Sequence, residues 1–328
     1  MNSPFPKSSS APGEGKLVAK VLPDGRPGLE TIVYQYPLKL ITPTRPSEDK
    51  SVLVFLLSYG GGLVAGDCVS LAIEVQSRAR LSMVTQGYTK VFKSPTSDVV
   101  TSQSLQVRIA TDAALCLLPD PVQPFEGSSY KQTQIFKLAP GASLCLLDWV
   151  TQGRAARGED WSFRRWAGRS EVWATSDEPG GRERLLVRDL LRLDGDQSHM
   201  QAKSLRDIMQ GQAIFGTLIL RGPLTDALGD FFLAEFDALP RIGARDWNAD
   251  GAEAGAAGLS PLETWRAARI KTEARDKVLW SAARVRACVV VKFGAADVEA
   301  GRVWIGTMLA WDGTVAEVFG QQALMCVR

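Results

Sequence analysis

From Lys16 to Val187 apolar and polar residues alternate with a period of two, and this alternation restricts the fold more than any other feature of the chain. Val69, Leu71, Ile73 and Val75 are interleaved with Ser70, Ala72, Glu74 and Gln76; Leu105, Val107 and Ile109 are interleaved with Gln106 and Arg108. Successive side chains take opposite faces in a β-strand, so each run predicts a strand with one buried face. Val52 to Leu57 is continuously apolar, as expected of a strand buried on both faces.

A weak repeat runs through the same region. The stretches RARLSMVTQ, DAALCLLPD and GASLCLLDW begin at residues 78, 112 and 141, offsets of 34 and 29, and align without gaps. Each follows a longer strand ending at Val75, Ile109 or Leu138, after a short turn. Two architectures fit this pattern. One is a stack of β-coils, each too small to bury its own apolar face; the other is three hairpins of a large sandwich. Either makes the first half β.

The second half changes character. Leu224, Leu228, Phe231, Phe232, Phe236 and Leu239 recur at helical spacing after Pro223, which suits a first turn. Residues 244–260 form an Ala/Gly-rich connector, expected to be mobile. Val285 to Phe293 reads as a buried strand ended by Gly294, and Asp297 as the cap of a helix carrying Val298, Ile305, Met308 and Leu309.

Composition narrows the function. The 328 residues are 45% apolar and 23% charged, an ordinary globular balance, and their net charge is only +2. No electrostatic footprint for nucleic acid follows, and no basic block for a membrane surface. The longest uncharged run, Ser51 to Gly66, is shorter than the ~20 residues that span a bilayer. Met1 to Gly15 is rich in Ser, Pro and Gly, lacks the apolar core of a secretory signal and reads as a disordered tail. Cys68, Cys116, Cys145, Cys288 and Cys326 are scattered, which reads as reduced thiols in a cytoplasmic protein. The one histidine, His199, follows Asp194 and Asp196 and reads as a solvated loop residue. A stable metal site is not expected from so few Cys and His, and any metal contact must rest on carboxylates, single thiols or a subunit interface.

Four segments stand out. Gly60-Gly61-Gly62-Leu63-Val64-Ala65-Gly66-Asp67 has a phosphate-loop gap between Gly61 and Gly66, but Asp67 replaces the lysine and a strand follows, so a nucleotide site is excluded. Thr85 to Ser94 contains Gly87, Tyr88 and Lys90 and ends at Pro95. Leu118 to Phe125 holds three prolines in six residues, a stiff connector or a recognition loop. From Asp148 to Glu159 the spacing is D-x4-GR-x3-GE, including Gly153, Arg154 and Gly158. Here Asp148 and Glu159 flank Arg154, an arrangement for a buried ion pair or for a polar lining.

In this order the four segments resemble the series of urease accessory proteins of the UreD type, also called UreH. The likeness covers most of the chain from residue 16, strongly in the first half and loosely in the second. Ala65 stands where the family pattern has Gly, the Ala/Gly connector is longer than in bacterial members, and the tail after Asp312 matches nothing. The resemblance implies a mainly β fold in a single domain over residues 16–328: an irregular, β-helix-like stack with two α-helices packed in the C-terminal half. It also implies a scaffold without catalytic residues or a permanent cofactor. Such a scaffold binds apo-urease and an all-α UreF-type protein, which in turn holds a UreG-type GTPase, and nickel is cargo in transit through an internal polar passage. Asp67, Asp148 and Glu159 are the residues expected along that passage, with Gly61, Gly62, Gly66, Lys90, Gly153, Arg154 and Gly158 shaping the motif turns. Asp67 is expected to matter selectively for nickel, and Asp148, paired to Arg154, for stability. Phe125, Leu228 and Phe232 are the expected partner contacts, on exposed apolar patches. The rival readings are a β-helical carbohydrate-active enzyme and an interaction module unrelated to urease.

Overall fold

The computed structural model describes residues 11–43, 50–176, 181–195, 203–239 and 260–328. His199 and residues 244–259 of the expected connector lie outside them, as do residues 1–10 of the expected tail. The remainder of that tail is ordered, because strand β1 (Glu14–Val21) begins inside it.

The repeat is the key to the architecture. Strands β4 (Val52–Ser58), β6 (Arg80–Val84), β9 (Ala114–Leu117) and β12 (Ser143–Thr151) pair in parallel in one sheet. Strands β5 (Cys68–Val75), β8 (Thr101–Ile109), β11 (Ser129–Leu138) and β13 (Arg165–Ala174) pair in parallel in a second. The chain alternates between the sheets, so each pair of strands is one coil of a stacked β-helix. A third, short ladder links Leu63, β7 (Thr89–Val91), β10 (Val122–Pro124) and Val150 at the corners. The ungapped alignment of the three repeats is the strand register itself: Leu81, Leu115 and Leu144 are neighbours across the sheet, and so are Met83, Leu117 and Leu146. The first residues of the repeats, Arg78, Asp112 and Gly141, all take positive φ, which turns the chain from one sheet into the next.

The coils are closed at both ends by antiparallel strands. β2 (Pro27–Tyr34) flanks β1, which lies parallel to β5, and β3 (Leu38–Ile41) flanks β4. At the other end β14 (Arg184–Asp194) pairs with β13, and β15 (Ile214–Arg221) pairs with β12. β16 (Leu279–Val285) and β17 (Cys288–Ala295) then extend the sheet beyond β15. Leu81, Leu115 and Leu144 point into the core between the sheets, whereas Cys116, Cys145, Leu147 and Trp149 point outward under the helices. That double burial is why this sheet's strands lack alternation.

Helices α1 (Leu205–Met209), α2 (Asp226–Asp237), α3 (Pro261–Arg275), α4 (Val298–Asp312) and α5 (Thr314–Phe319) follow in the second half. α2 and α4 are the two expected from the sequence; α1, α3 and α5 are additional. α2 buries Leu228 and Phe232 against β15–β17 and shows Asp226, Asp230 and Asp237 to solvent. The surface role expected of Leu228 and Phe232 is therefore corrected: the apolar stripe of this helix faces its own protein's core. The tail after Asp312, unplaced by sequence, packs Phe319, Ala323, Leu324 and Val327 into that core. It also ties back to the β-helix through Ser51 Oγ, which donates to the Phe319 carbonyl at 2.7 Å. The tail crosses α4 at Gly306, where a Cβ would lie 1.8 Å from the Val327 carbonyl oxygen. Gly306→Ala is thus expected to displace residues 325–328 and lower stability by about 1–3 kcal/mol, readable as a drop in melting temperature. An unchanged melting curve would mean that this crossing carries no stability.

Candidate functional site: a polar interior at the fourth coil

The inward face of the β-helix is largely apolar, and polar side chains gather on it toward the last coils. On β11 the inward series runs Tyr130, Gln132, Gln134, Phe136: Gln134 takes the place that Leu71 and Leu105 hold on β5 and β8, and Gln132 lies beside Gln103. Register sets Gln134 beside Ser170 of β13 and Ser170 beside Asp189 of β14. On the other sheet, Asp148 of β12 is the strand neighbour of Thr217 of β15.

These groups form two hydrogen-bonded sets that border one cavity. Gln132 Nε2 donates to Asp148 Oδ1 at 2.9 Å and Ser170 Oγ donates to Asp148 Oδ2 at 3.0 Å. Tyr130, fully buried, donates its hydroxyl to Gln132 Oε1 at 3.3 Å. Thr217 Oγ1 donates to Asp189 Oδ2 at 2.9 Å, and Lys292 Nζ reaches Asp189 Oδ1 at 2.6 Å. Lys292 is 40% exposed, so the polar series starts at the surface and ends at Tyr130 inside the coil. A cavity of about 10 Å3, near the smallest that holds a water, lies between Asp148, Asp189, Thr217 and Trp166, whose Nε1 finds no partner among the described residues. Some surface of Asp148 stays accessible, but its carboxylate is enclosed. Burial raises its pKa; the bonds from Ser170 and Gln132 oppose that shift and Asp189 adds to it.

The other two expected passage residues lie elsewhere. Asp67 accepts from the Val64 amide at 2.7 Å and closes its own turn ahead of β5. Glu159 is buried and accepts from the Arg154 amide and guanidinium, so Arg154 pairs with Glu159 and not with Asp148. The Arg154 guanidinium in turn lies 3.8 Å from the centre of the Phe125 ring. Phe125, expected at an exposed patch, is only 7% exposed, packed edge-on against Phe92 and covered by that arginine. Among the described residues Asp67, Asp148 and Glu159 share no hydrogen-bonding partner.

The motif glycines serve turns and close approaches: Gly61, Gly66, Gly153 and Gly158 have positive φ, and Gly62 lies against the Lys90 carbonyl. Asp189, Thr217, Lys292 and the two glutamines were not picked out by the sequence reading. Among the described residues no three His, Cys, Asp or Glu side chains group as a metal cage.

Burial alone would raise the Glu159 pKa, and Arg154 overcomes it, holding it below the usual value. The stability it contributes is present above the unfolded value and lost as pH falls through the lowered folded one. Glu159→Gln is expected to cost roughly 2–3 kcal/mol near neutrality, less than a fully buried pair because Arg154 is part-exposed. Acid should erase the difference from the parent. Urea melts at pH 7 and pH 3 check this; a deficit equal at both would show that the charge is irrelevant.

The family profile described as UreD urease accessory protein matches residues 12–327. The chain belongs to the UreD family. Among its relatives, urease accessory protein 4 of Cryptococcus neoformans is 30% identical over 336 residues, covering 93% of this chain and 92% of that protein. An uncharacterized urease accessory protein ureD-like of Schizosaccharomyces pombe is 34% identical over 271 residues, 82% of this chain and 83% of the other. The urease accessory protein UreD of Sorangium cellulosum is 37% identical over 222 residues, 68% of this chain and 65% of its own length. The family match spans both the β-helix and the helical layer, so the polar interior and the ordered tail lie within the UreD region of the chain.

Proposed function

We propose that this UreD-family chain is a non-catalytic scaffold of urease maturation in the cytoplasm. It holds apo-urease and a UreF-type protein, which carries a UreG-type GTPase, and it passes nickel toward the urease active site through the polar interior. One observation carries the passage: Asp148 and Asp189, with Thr217, Ser170 and the two glutamines, form a row of oxygen donors leading inward from exposed Lys292. Carboxylate, amide and hydroxyl oxygens hold a divalent transition metal loosely, which suits an ion that must leave again. A thiolate or imidazole cage would retain it.

The test is reconstitution. Urease is expressed with its other accessory proteins, with and without this chain, and its nickel content and the co-purifying complex are measured. The expected result is a nickel-poor urease without the chain and a complex containing urease and the UreF-type protein with it. Full nickel loading in its absence, or turnover of GTP by the pure chain alone, would overturn the proposal.

A further inference from the structure

Three of the motif segments meet on a surface that the polar interior does not use. The turn after β4, Tyr59–Gly61, faces the segment Thr85–Lys90, and a groove of about 330 Å3 lies between them. Lys39, Tyr59, Gly61, Gly87, Tyr88 and Lys90 are among its walls, and no carboxylate lines it. A second hollow of about 690 Å3 adjoins it, sharing Thr85 to Tyr88 and Lys90 and reaching Arg302 and Met325.

The third motif supplies the frame. Asp120 Oδ2 accepts from Thr85 Oγ1 at 3.0 Å and from the Gly87 amide at 2.9 Å, while its Oδ1 pairs with Arg302 at 3.1 Å. The one carboxylate bordering the second hollow is thus committed to holding the Thr85–Gly87 turn in place. Gly60, Gly61 and Gly87 take positive φ, and a Cβ on any of them would meet nothing within 4 Å, so the groove is bounded by bare backbone beside open space.

What remains on the rim is aromatic and cationic. Tyr36 is 61% and Tyr59 41% exposed, their rings 5.8 Å apart. Lys39 sits 5.3 Å from the Tyr59 ring centre, and neither Lys39 nor Lys90 has a carboxylate partner among the described residues. Exposed tyrosines beside rigid backbone are the composition of protein-binding surfaces, and two uncompensated cations set the sign of what they bind.

We propose that this groove docks an acidic segment of a partner protein, its carboxylates on Lys39 and Lys90 and its apolar side chains against Tyr36 and Tyr59. The inference rests on the scaffold reading and names the surface that reading leaves open. It gives the glycine-rich, TQGYTK and LPDP segments one common purpose.

The experiment uses the full chain, with purified UreF-type protein and apo-urease each titrated onto it by interferometry at low and high salt. Lys39→Glu/Lys90→Glu is expected to weaken binding of at least one partner by tenfold or more, with a shallower salt dependence. Lys39→Gln/Lys90→Gln should fall between it and the parent, and Lys131→Glu, exposed on the other sheet, should stay within twofold. Melting curves should stay close to the parent's, because neither groove lysine pairs with a carboxylate among the described residues and only the contact of Lys39 with the Tyr59 ring is lost. Unchanged affinity of the double Glu variant for both partners overturns the site alone, and so does an equal loss in Lys131→Glu. Failure of the parent chain to bind either partner overturns the scaffold reading and the site together.

Discussion

Asp148→Asn is expected to leave the complex with urease and the UreF-type protein intact and to lower the nickel content of the urease by an order of magnitude or more. The expectation reverses the ranking drawn from sequence, in which Asp67 was the selective residue and Asp148 the structural one. Arg154 belongs to Glu159, and among the described residues Asp148 has no cationic partner; its bonds come from Gln132 and Ser170. An asparagine is nearly isosteric and can still accept at its remaining oxygen. The pH argument has the same sign. Burial first, and Asp189 in addition, place the folded pKa of Asp148 above its unfolded value. Stability from such a group is complete below the unfolded pKa and is lost as pH rises through the folded one. Wherever that carboxylate is ionised it is a burden to the fold, and Asp148→Asn should melt no lower than the parent. Nickel loses more, because a passing dication needs negative potential to offset its desolvation. Opposite unit charges 4 Å apart attract by about 4 kcal/mol at an effective dielectric of 20, against the 1.4 kcal/mol that makes a tenfold difference. Metal analysis of urease matured with each variant, beside complex yield, reads both quantities. Parallel loss of complex and nickel would make Asp148 structural, and full loading would remove it from the passage.

How far the sequence reaches depends on whether a residue's task is local. The strands of the β-helix announce themselves by alternation, and the repeats even carry the register, because Arg78, Asp112 and Gly141 each turn the chain at the same place. Their stacking was not separable from a sandwich by pattern alone, since both need one buried face per strand. The interior site was half legible. Asp148 drew notice through its motif, whereas Gln132 and Gln134 are polar residues on the inward face of an alternating strand, a signal present in YKQTQIF but easily taken for the outward series. Asp189, Thr217 and Lys292 join only through strand pairings that no short-range pattern encodes. Phe125 and Phe232 were misplaced for a related reason: an aromatic in a loop or an amphipathic helix looks free until the layer it packs against is known. Helix α3 was missed despite a readable start, Ser260-Pro261-Leu262-Glu263, which forms a capping box with proline in the first turn. The Ala/Gly-rich stretch ahead of it drew the reading away, and its apolar spacing is weak. Its buried residues explain why: they are Arg269 and Glu273.

That charged face makes Arg269→Met the substitution with the largest expected cost in stability, about 3–5 kcal/mol. Arg269 is 2% exposed and joins Glu235 of α2 at 3.0 Å to Glu273 of its own helix at 2.6 Å. Arg266 gives Glu235 a second partner, and Trp304 Nε1 of α4 donates to Glu273 at 2.8 Å. Remove the Arg269 guanidinium and Glu273 is left buried with only an indole N–H, while Glu235 keeps one part-exposed arginine. The rest of the attachment is slight: Trp265 stacks on Trp311 at 4.6 Å, and little else on α3 is buried. The loss should therefore appear first as local release of α3, with faster amide exchange over residues 261–275 than over α4, before any global change. Acid should mimic it. Burial would raise the Glu235 pKa, but Arg266 and Arg269 hold it below its unfolded value, so its stabilisation is present above that value and vanishes as pH falls through the lowered one. Exchange of α3 should thus rise selectively below about pH 4.5, where carboxylates protonate. Charge pairing, not mere volume, is what holds the helix if Glu235→Leu/Arg269→Met/Glu273→Leu, which buries apolar groups with no stranded ion, recovers most of the stability lost in Arg269→Met. Unaltered exchange of α3 in Arg269→Met would show instead that the tryptophan stack alone anchors it.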